Sequence, residues 1–268
     1  MRIIKFIDEA GHHQFGKDFE NGQATLLDGD LITGLVETDK IGNVKKLLAP
    51  VMPPAIFGIG LNYHKHAKET GMETPKYPVV FMKNPAAIAN PEDPILLHSS
   101  CMEPPEVDYE AELAVVIGQA VKDVRTADAL DYVFGYTAAN DVSARRWQGR
   151  RGSGQWSHSK SFDTFCPLGP ELVTAAELQD PQNLRVTCEL NGQVMQDGNT
   201  GDMIFPVAEL ISFLSTGATL QPGTVILTGT PSGVGFTRKP PVYLMPGDAV
   251  AVTIEGIGSL RNSVELQK

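Results

Sequence analysis

The sequence predicts a β-dominated α+β fold, a mixed roll- or barrel-like sheet body with a small N-terminal β appendage. Three observations carry this. Short runs rich in branched and aromatic residues recur along the chain, cut by Gly-Asp and Asn-Gly turns. Few stretches show helical spacing, and they do not alternate with the strands, which argues against a doubly wound parallel sheet. The 19 prolines and 26 glycines are spread through the whole length, as many turns require.

Taken in order, residues 1 to about 50 read as strands at Arg2–Ile7, Gln23–Leu27 and Leu31–Val36. The run Pro50-Val51-Met52-Pro53-Pro54 marks a joint. The expected domains are therefore a β-rich 1–52 and a main body of 53–268. In the body, Ala55–Gly58, Val79–Met82, Leu113–Ile117, Arg185–Leu190, Thr224–Thr228 and Ala249–Ile254 read as strands. Asn191-Gly192 closes a hairpin after Leu190. Asn62 is placed to cap a helix running through His66 and Glu69, and Thr126 to cap Ala127–Val133. Val207–Leu214 repeats its apolar residues at helical spacing.

Composition bounds the function. A chain of 268 residues, 42% apolar and 20% charged, is an ordinary soluble globular protein able to bury a large core. The formal net charge of −10 argues against a nucleic-acid partner and leaves room for a small anion held in a local cationic pocket. Cys101, Cys166 and Cys188 are odd in number and lack C-x-x-C spacing, which favours a reducing compartment without a disulfide framework. Cys166 stays open as a nucleophile, although a buried thiol is the commoner case. The N-terminal run turns acidic at Asp8 and lacks both the apolar core of a signal peptide and the Arg/Ser bias of a transit peptide. No window reaches the apolar length of a bilayer span, so the expectation is a cytoplasmic enzyme without a membrane partner.

The segment Val107–Ile117 carries the sharpest pattern. As a strand, it sets Val107, Tyr109, Ala111, Leu113, Val115 and Ile117 on one face and Asp108, Glu110 and Glu112 on the other. Two glutamates two positions apart stand roughly 6–7 Å apart on one face. Like charges beside an apolar run need water or a cation, and oxygen ligands suit a hard divalent ion. A solvated face of a half-buried strand is the alternative, and for an isolated Glu-x-Glu the commoner one.

Other segments add chemistry. His66 and Glu69 are three apart, so on a helix the carboxylate can orient the imidazole as a general base; a surface helix rich in His and Lys is the alternative. Asp141, in Asn140-Asp141-Val142-Ser143-Ala144-Arg145, is either a third carboxylate ligand or an N-cap. Arg145 and Gln148 share a helical face that could meet a substrate carboxylate. Lys160 sits in aromatic company, either snorkelling or supplying a fixed positive charge to an enolate. The run Val225–Gly235 is a strand entering a glycine-rich loop. Its amides and the Thr230 hydroxyl could form an anion nest, a plain tight turn being the alternative.

The motifs in sequence order are Gly-Leu-Asn-Tyr-x-x-His-x-x-Glu at 60–69, Phe81-Met82-Lys83, Asp108-Tyr109-Glu110-x-Glu112-Leu113-Ala114, Asn140–Arg145, Lys160-Ser161-Phe162-Asp163, and Thr228-Gly229-Thr230-Pro231-x-Gly233-Val234-Gly235. From Gly60 to Val264 the chain resembles the fumarylacetoacetate hydrolase superfamily. Trp147-Gln148, Phe162–Pro170 and Arg238–Val242 make it most similar to the branch of fumarylacetoacetate hydrolase domain-containing protein 2. Arg146 departs from the pattern, since many relatives carry Asp there.

The resemblance implies a Mg²⁺ or Mn²⁺ ion held by Glu110, Glu112 and Asp141. It implies catalytic roles for His66, Glu69 and Lys160, and substrate contacts from Arg145, Gln148, Thr230 and Lys83. It also implies a homodimer and a short 2-oxo acid substrate turned over through a metal-stabilised enolate. Keto–enol tautomerisation of oxaloacetate is the favoured activity. C–C hydrolysis of acylpyruvate-like diketo acids, oxaloacetate decarboxylation, and a silent metal- or metabolite-binding relative are the alternatives, because fold alone does not choose among them.

Overall fold

The computed structural model describes residues 1–268, of which 44% are strand and 17% helix. The chain opens with β1 (Arg2–Asp8), β2 (His13–Glu20), β3 (Gln23–Asp30) and β4 (Gly34–Leu48). Asn21 and Gly22 both take positive φ between β2 and β3, the backbone that matches strand twist in a tight hairpin. β1 pairs antiparallel with both β2 and β4, so the four strands close around Ile4, Phe6 and Ala24. The expected strand Leu31–Val36 is divided. Asp30 accepts hydrogen bonds from the amides of Ile32 and Thr33 at 2.8 and 2.9 Å, which makes 31–33 a turn before β4.

The body continues with β5 (Ile56–Gly60), α1 (His64–Thr70), β6 (Val79–Lys83), β7 (Ile88–Ala89), β8 (Ile95–Leu97) and β9 (Val107–Asp108). Next come β10 (Ala111–Ile117), β11 (Val133–Asn140), β12 (Ser143–Ala144) and two short helical turns, α2 (Arg145–Gln148) and α3 (Trp156–Ser159). The remainder is β13 (Cys166–Thr174), β14 (Arg185–Leu190), β15 (Gln193–Asn199), α4 (Val207–Ser215), β16 (Val225–Leu227), β17 (Ala249–Ile254) and β18 (Gly258–Leu266). The hairpin expected at Asn191-Gly192 joins β14 to β15, with both residues at positive φ. α4 buries Val207, Leu210, Ile211 and Leu214, the spacing read from the sequence.

An 11-stranded sheet runs β2-β3-β4-β1-β13-β11-β10-β16-β5-β6, with β7 beside β13. A second sheet runs β15-β14-β17-β18-β8, and β9 and β12 form a short ribbon. The large sheet is mixed, because β16 pairs parallel with β5 among antiparallel neighbours. Leu113, Val115 and Ile117 of β10 enter the main core, which also holds Val186, Val252 and Leu260 of the second sheet. Ala114 and Val116 point the other way, against Leu168, Leu172, Val225 and Leu227, so β10 is buried on both faces.

Three local expectations are corrected. The cap of α1 is Tyr63, without a side-chain bond. Asn62 is used across the fold instead, donating to the carbonyls of Thr228 and Phe205 at 2.7 and 3.1 Å and accepting from the Phe205 amide at 2.8 Å. Thr126–Tyr132 is a 3₁₀ stretch capped at Arg125, and Val133 already belongs to β11. The run Val107–Ile117 is two strands, broken at Tyr109 and Glu110.

Candidate active site

That break starts the site. Glu110 lies in it, Glu112 follows on β10, and Asp141 stands one residue beyond the end of the neighbouring β11. The Asp141 amide donates to the Glu110 carbonyl at 2.9 Å, and the Glu110 amide to Asn140 Oδ1 at 3.0 Å, which holds the register. Potential ligand oxygens of Glu110, Glu112 and Asp141 lie within 4.8 Å of one another. The three residues are 6%, 1% and 0% exposed, which removes the solvated-face alternative for the Glu-x-Glu pattern.

With Asp108, these are four buried carboxylates facing three cations. Lys160 Nζ donates to Glu110 Oε2 at 2.8 Å, to Ser143 Oγ at 2.7 Å and to Asp141 Oδ2. Lys83 Nζ donates to Asp141 Oδ1 at 2.5 Å and to the Phe165 carbonyl at 2.8 Å. Arg145 pairs with Glu110 Oε1 at 2.6 Å and donates to Asp108 Oδ2 at 2.9 Å. Glu112 has no cationic partner, only the Gly229 amide at 2.7 Å. Gly229 is at φ +94°, and a Cβ there would stand 2.7 Å from that of Asn62, so glycine is what lets this amide approach.

The charges settle accordingly. Burial opposes ionisation of Glu110, but Lys160 and Arg145 outweigh it and hold the carboxyl down at about 2. At Glu112, burial and the charges of Asp141 and Glu110 act together and push the carboxyl well above its ordinary range. Burial works against the Lys160 ammonium, yet Asp141 and Glu110 keep it charged. An all-oxygen donor set with one uncompensated carboxylate fits a hard divalent cation such as Mg²⁺ or Mn²⁺, which would relieve the repulsion at Glu112.

The candidate base sits on α1. His66 Nδ1 is 3.0 Å from Glu69 Oε2, a contact that favours the Nδ1–H tautomer, with the lone pair on Nε2. Glu69 Oε1 accepts from the Gly233 amide and the Thr237 hydroxyl, each at 2.9 Å. Burial raises the Glu69 carboxyl, but the bonds from His66, Gly233 and Thr237 prevail and hold it below its usual value. A cavity of about 280 Å³ joins the parts, lined by His66, Glu110, Glu112, Arg145, Gln148, Lys160 and Thr230, with Trp156, Phe236 and Met72 as apolar walls.

The family model for the C-terminal part of fumarylacetoacetate (FAA) hydrolase matches residues 55–265. The chain belongs to the fumarylacetoacetate hydrolase family. It is 49% identical over 229 residues to "Fumarylacetoacetate hydrolase domain-containing protein 2 homolog" of Dictyostelium discoideum, covering 82% of this chain and 74% of that one. It is 49% identical over 218 residues to human "Oxaloacetate tautomerase FAHD2A, mitochondrial", covering 81% of this chain and 68% of the relative. The solved 5-carboxymethyl-2-hydroxymuconate delta-isomerase of Mycobacterium smegmatis superposes with a TM-score of 0.86 at 36% identity, covering 100% of both chains. This fumarylacetoacetate hydrolase family member is an enzyme with a β-dominated α+β fold.

Within the family member's site, most residues singled out from the sequence converge. Gln148 Oε1 accepts from Arg145 Nη1 at 2.8 Å, which leaves the amide NH₂ free. Thr230 donates to the Ala111 carbonyl at 3.0 Å. Lys83 lies elsewhere: its side chain is wholly enclosed and off the cavity wall, so it braces Asp141 from behind and makes no substrate contact. Asp141 caps no helix, since the N-cap of α2 is Ala144 and no side chain caps it. Arg146 turns away to the Glu103 carbonyl. Cys166 is buried off the cavity wall and its thiol is pushed up to about 12, mainly by burial, which removes it as a nucleophile.

Two residues that carry the site were not read as part of it. Asp108, set on one face with Glu110 and Glu112 by the strand pattern but given no role there, is 0% exposed and accepts from Arg145 Nε and from the Gly235 and Phe236 amides at 2.9, 2.8 and 3.0 Å. Gln196 accepts from the Ala111 amide at 2.9 Å and donates to Thr230 Oγ and the Pro231 carbonyl at 2.8 Å each. Met195 and Gln196 are both buried on β15, next to a register shift that breaks strict alternation. That irregularity hides Gln196 from a pattern of period two.

Proposed function

We propose that this enzyme is an oxaloacetate keto–enol tautomerase using Mg²⁺ or Mn²⁺ and working as a homodimer. The observation that carries the reaction class is His66, oriented by Glu69 at 3.0 Å, in one small cavity with Lys160, Glu110 and Glu112. Similarity to the human oxaloacetate tautomerase supports the substrate.

Charge explains the need for an ion. Glu112 is the one buried carboxyl of the cluster without a cationic partner, and its ionisation beside Glu110 and Asp141 needs added positive charge. Glu110, Glu112 and Asp141 would hold a divalent ion, which when bound would supply positive charge and Lewis-acid polarisation for a 2-oxo group. The chain's own groups do the rest. Tautomerisation breaks the C3–H bond and forms an O–H bond on the C2 oxygen, with no water consumed and no oxidant required. His66 Nε2 accepts the C3 proton, and Glu69 stabilises the imidazolium until the proton is returned to oxygen. The Lys160 ammonium stabilises the developing oxyanion. Arg145 and the free amide of Gln148 orient a substrate carboxylate.

A substrate panel with Mg²⁺ tests this. Loss of enol-oxaloacetate absorbance, pyruvate release and acylpyruvate cleavage are followed in parallel, and enol loss is expected to be fastest. Faster pyruvate release would make the enzyme a lyase, and faster acylpyruvate cleavage a C–C hydrolase. No turnover of any would leave a binding protein. Sedimentation velocity tests the dimer, with a single monomeric species as the contrary result.

A further inference from the structure

Thr237 lies beyond the glycine-rich loop that follows β16, outside every motif quoted above. It ends a 3₁₀ turn at Gly235–Thr237. Its Oγ stands 2.9 Å from Glu69 Oε1 and 2.9 Å from the Val234 carbonyl. A hydroxyl has one proton, so only one of these acceptors receives it. The carboxylate is the stronger, because its bond is charge-assisted. Directed at Val234, the hydroxyl would turn a lone pair on the carboxylate instead.

Glu69 therefore has divided duties. Oε2 faces His66 Nδ1 at 3.0 Å, while Oε1 is gripped by the Thr237 hydroxyl and the Gly233 amide. Two donors on one oxygen fix the rotation of the carboxylate; one donor leaves it free to swing about that bond. The turn itself does not depend on this hydroxyl, since Asp108 accepts the Gly235 and Phe236 amides at 2.8 and 3.0 Å. Losing the hydroxyl loosens the carboxylate and leaves the loop in place.

We infer that Thr237 is a positioning residue for the His66–Glu69 pair, fixing the carboxylate so that the imidazole keeps its proton on Nδ1 and its lone pair on Nε2. The inference rests on His66 being the proton carrier in the reaction proposed above. With the acceptor at Nδ1 loosened, the neutral imidazole divides between two tautomers, and one of them has no lone pair at Nε2.

The test uses the full chain in Mg²⁺, labelled with ¹⁵N-histidine, as wild type, Thr237→Val, Thr237→Ala and Thr237→Ser. Long-range ring correlations report the His66 tautomer without any substrate. Wild type and Thr237→Ser are expected to be protonated on Nδ1, and Thr237→Val and Thr237→Ala to be mixed. Oxaloacetate kcat should fall about tenfold in Val and Ala, as for loss of an orienting partner, and recover in Ser. KM should stay within about twofold, since the substrate contacts are untouched. An unchanged tautomer and kcat in both Val and Ala overturns the inference, as does a Ser variant no better than Val. If wild type turns over no 2-oxo acid while the tautomer still shifts in Val and Ala, the reaction assignment fails and the positioning role stands.

Discussion

At the scale of single residues, the site is a matter of unequal electrostatics among similar groups. Glu110 and Glu112 are two positions apart, yet one is held ionised by Lys160 and Arg145 and the other is pushed towards neutrality. A carboxyl whose folded value is raised destabilises the fold as pH climbs from its ordinary value of 4.5 through the raised one. Glu112→Gln is therefore expected to raise the melting temperature of the ion-free protein at neutral pH and to abolish further stabilisation by Mg²⁺. A Mg²⁺-induced shift equal to wild type would show that Glu112 is not a ligand. His66→Ala should lower turnover by about 10²–10⁴-fold, the range of a general acid–base group. Calorimetric Mg²⁺ affinity should stay near wild type, and lost affinity with intact turnover would reverse the assigned roles. These residues stood out in the sequence because motif order and residue type mark them. Gln196 did not, and neither did the true place of Asp108, because their partners lie 85 and 127 residues away in the chain.

At the scale of elements, patterns of one period were legible and interruptions were not. α4 follows its apolar spacing and β14–β15 its Asn-Gly turn. The strand expected at Leu31–Val36 fails because Asp30 makes a local turn that its apolar neighbours mask. The break at Tyr109 and Glu110 is invisible in an alternating pattern, yet it frees Glu110 from the ladder to face Lys160. Gly229→Ala should displace the amide from Glu112, because the added Cβ would stand 2.7 Å from that of Asn62 at a positive φ. A stability cost of about 1–3 kcal/mol is expected, with weaker Mg²⁺ binding read in the same thermal titration. A variant matching wild type in both would show that the loop adapts. The link between α1 and the glycine-rich loop is pH-dependent with the opposite sign to Glu112. The Glu69 carboxyl lies below its ordinary value of 4.5, so its contribution is present above that value and lost as pH falls through the lowered one. Hydrogen exchange at the Gly233 amide should accelerate in that acid range more than exchange in the α4 helix. Equal acceleration would mean global unfolding instead.

At the scale of the whole molecule, the proline-rich joint at Pro50–Pro54 reads as a boundary, while the pairing across it depends on contacts no local pattern contains. β1 pairs with β13 at Arg2 with Val173 and Ile3 with Leu172. Arg2 adds bonds to Glu171 Oε2 and to the Gly256 and Ile257 carbonyls at 2.7, 2.8 and 2.6 Å. Ile3, Leu27, Ala49 and Val51 share a core with Ala114 and Val116, the reverse face of the strand that presents Glu112. The N-terminal strands thus back the site without touching its cavity. Ile3 is 1% exposed, so Ile3→Ala opens a void in that shared core and should cost about 2–5 kcal/mol of stability. The cost should appear as one cooperative transition at lower temperature, with kcat and KM at 25 °C close to wild type, because the carboxylate cluster is held by its own ion pairs. Two separate transitions, with only the smaller one shifted, would instead mean that 1–52 folds as an independent domain.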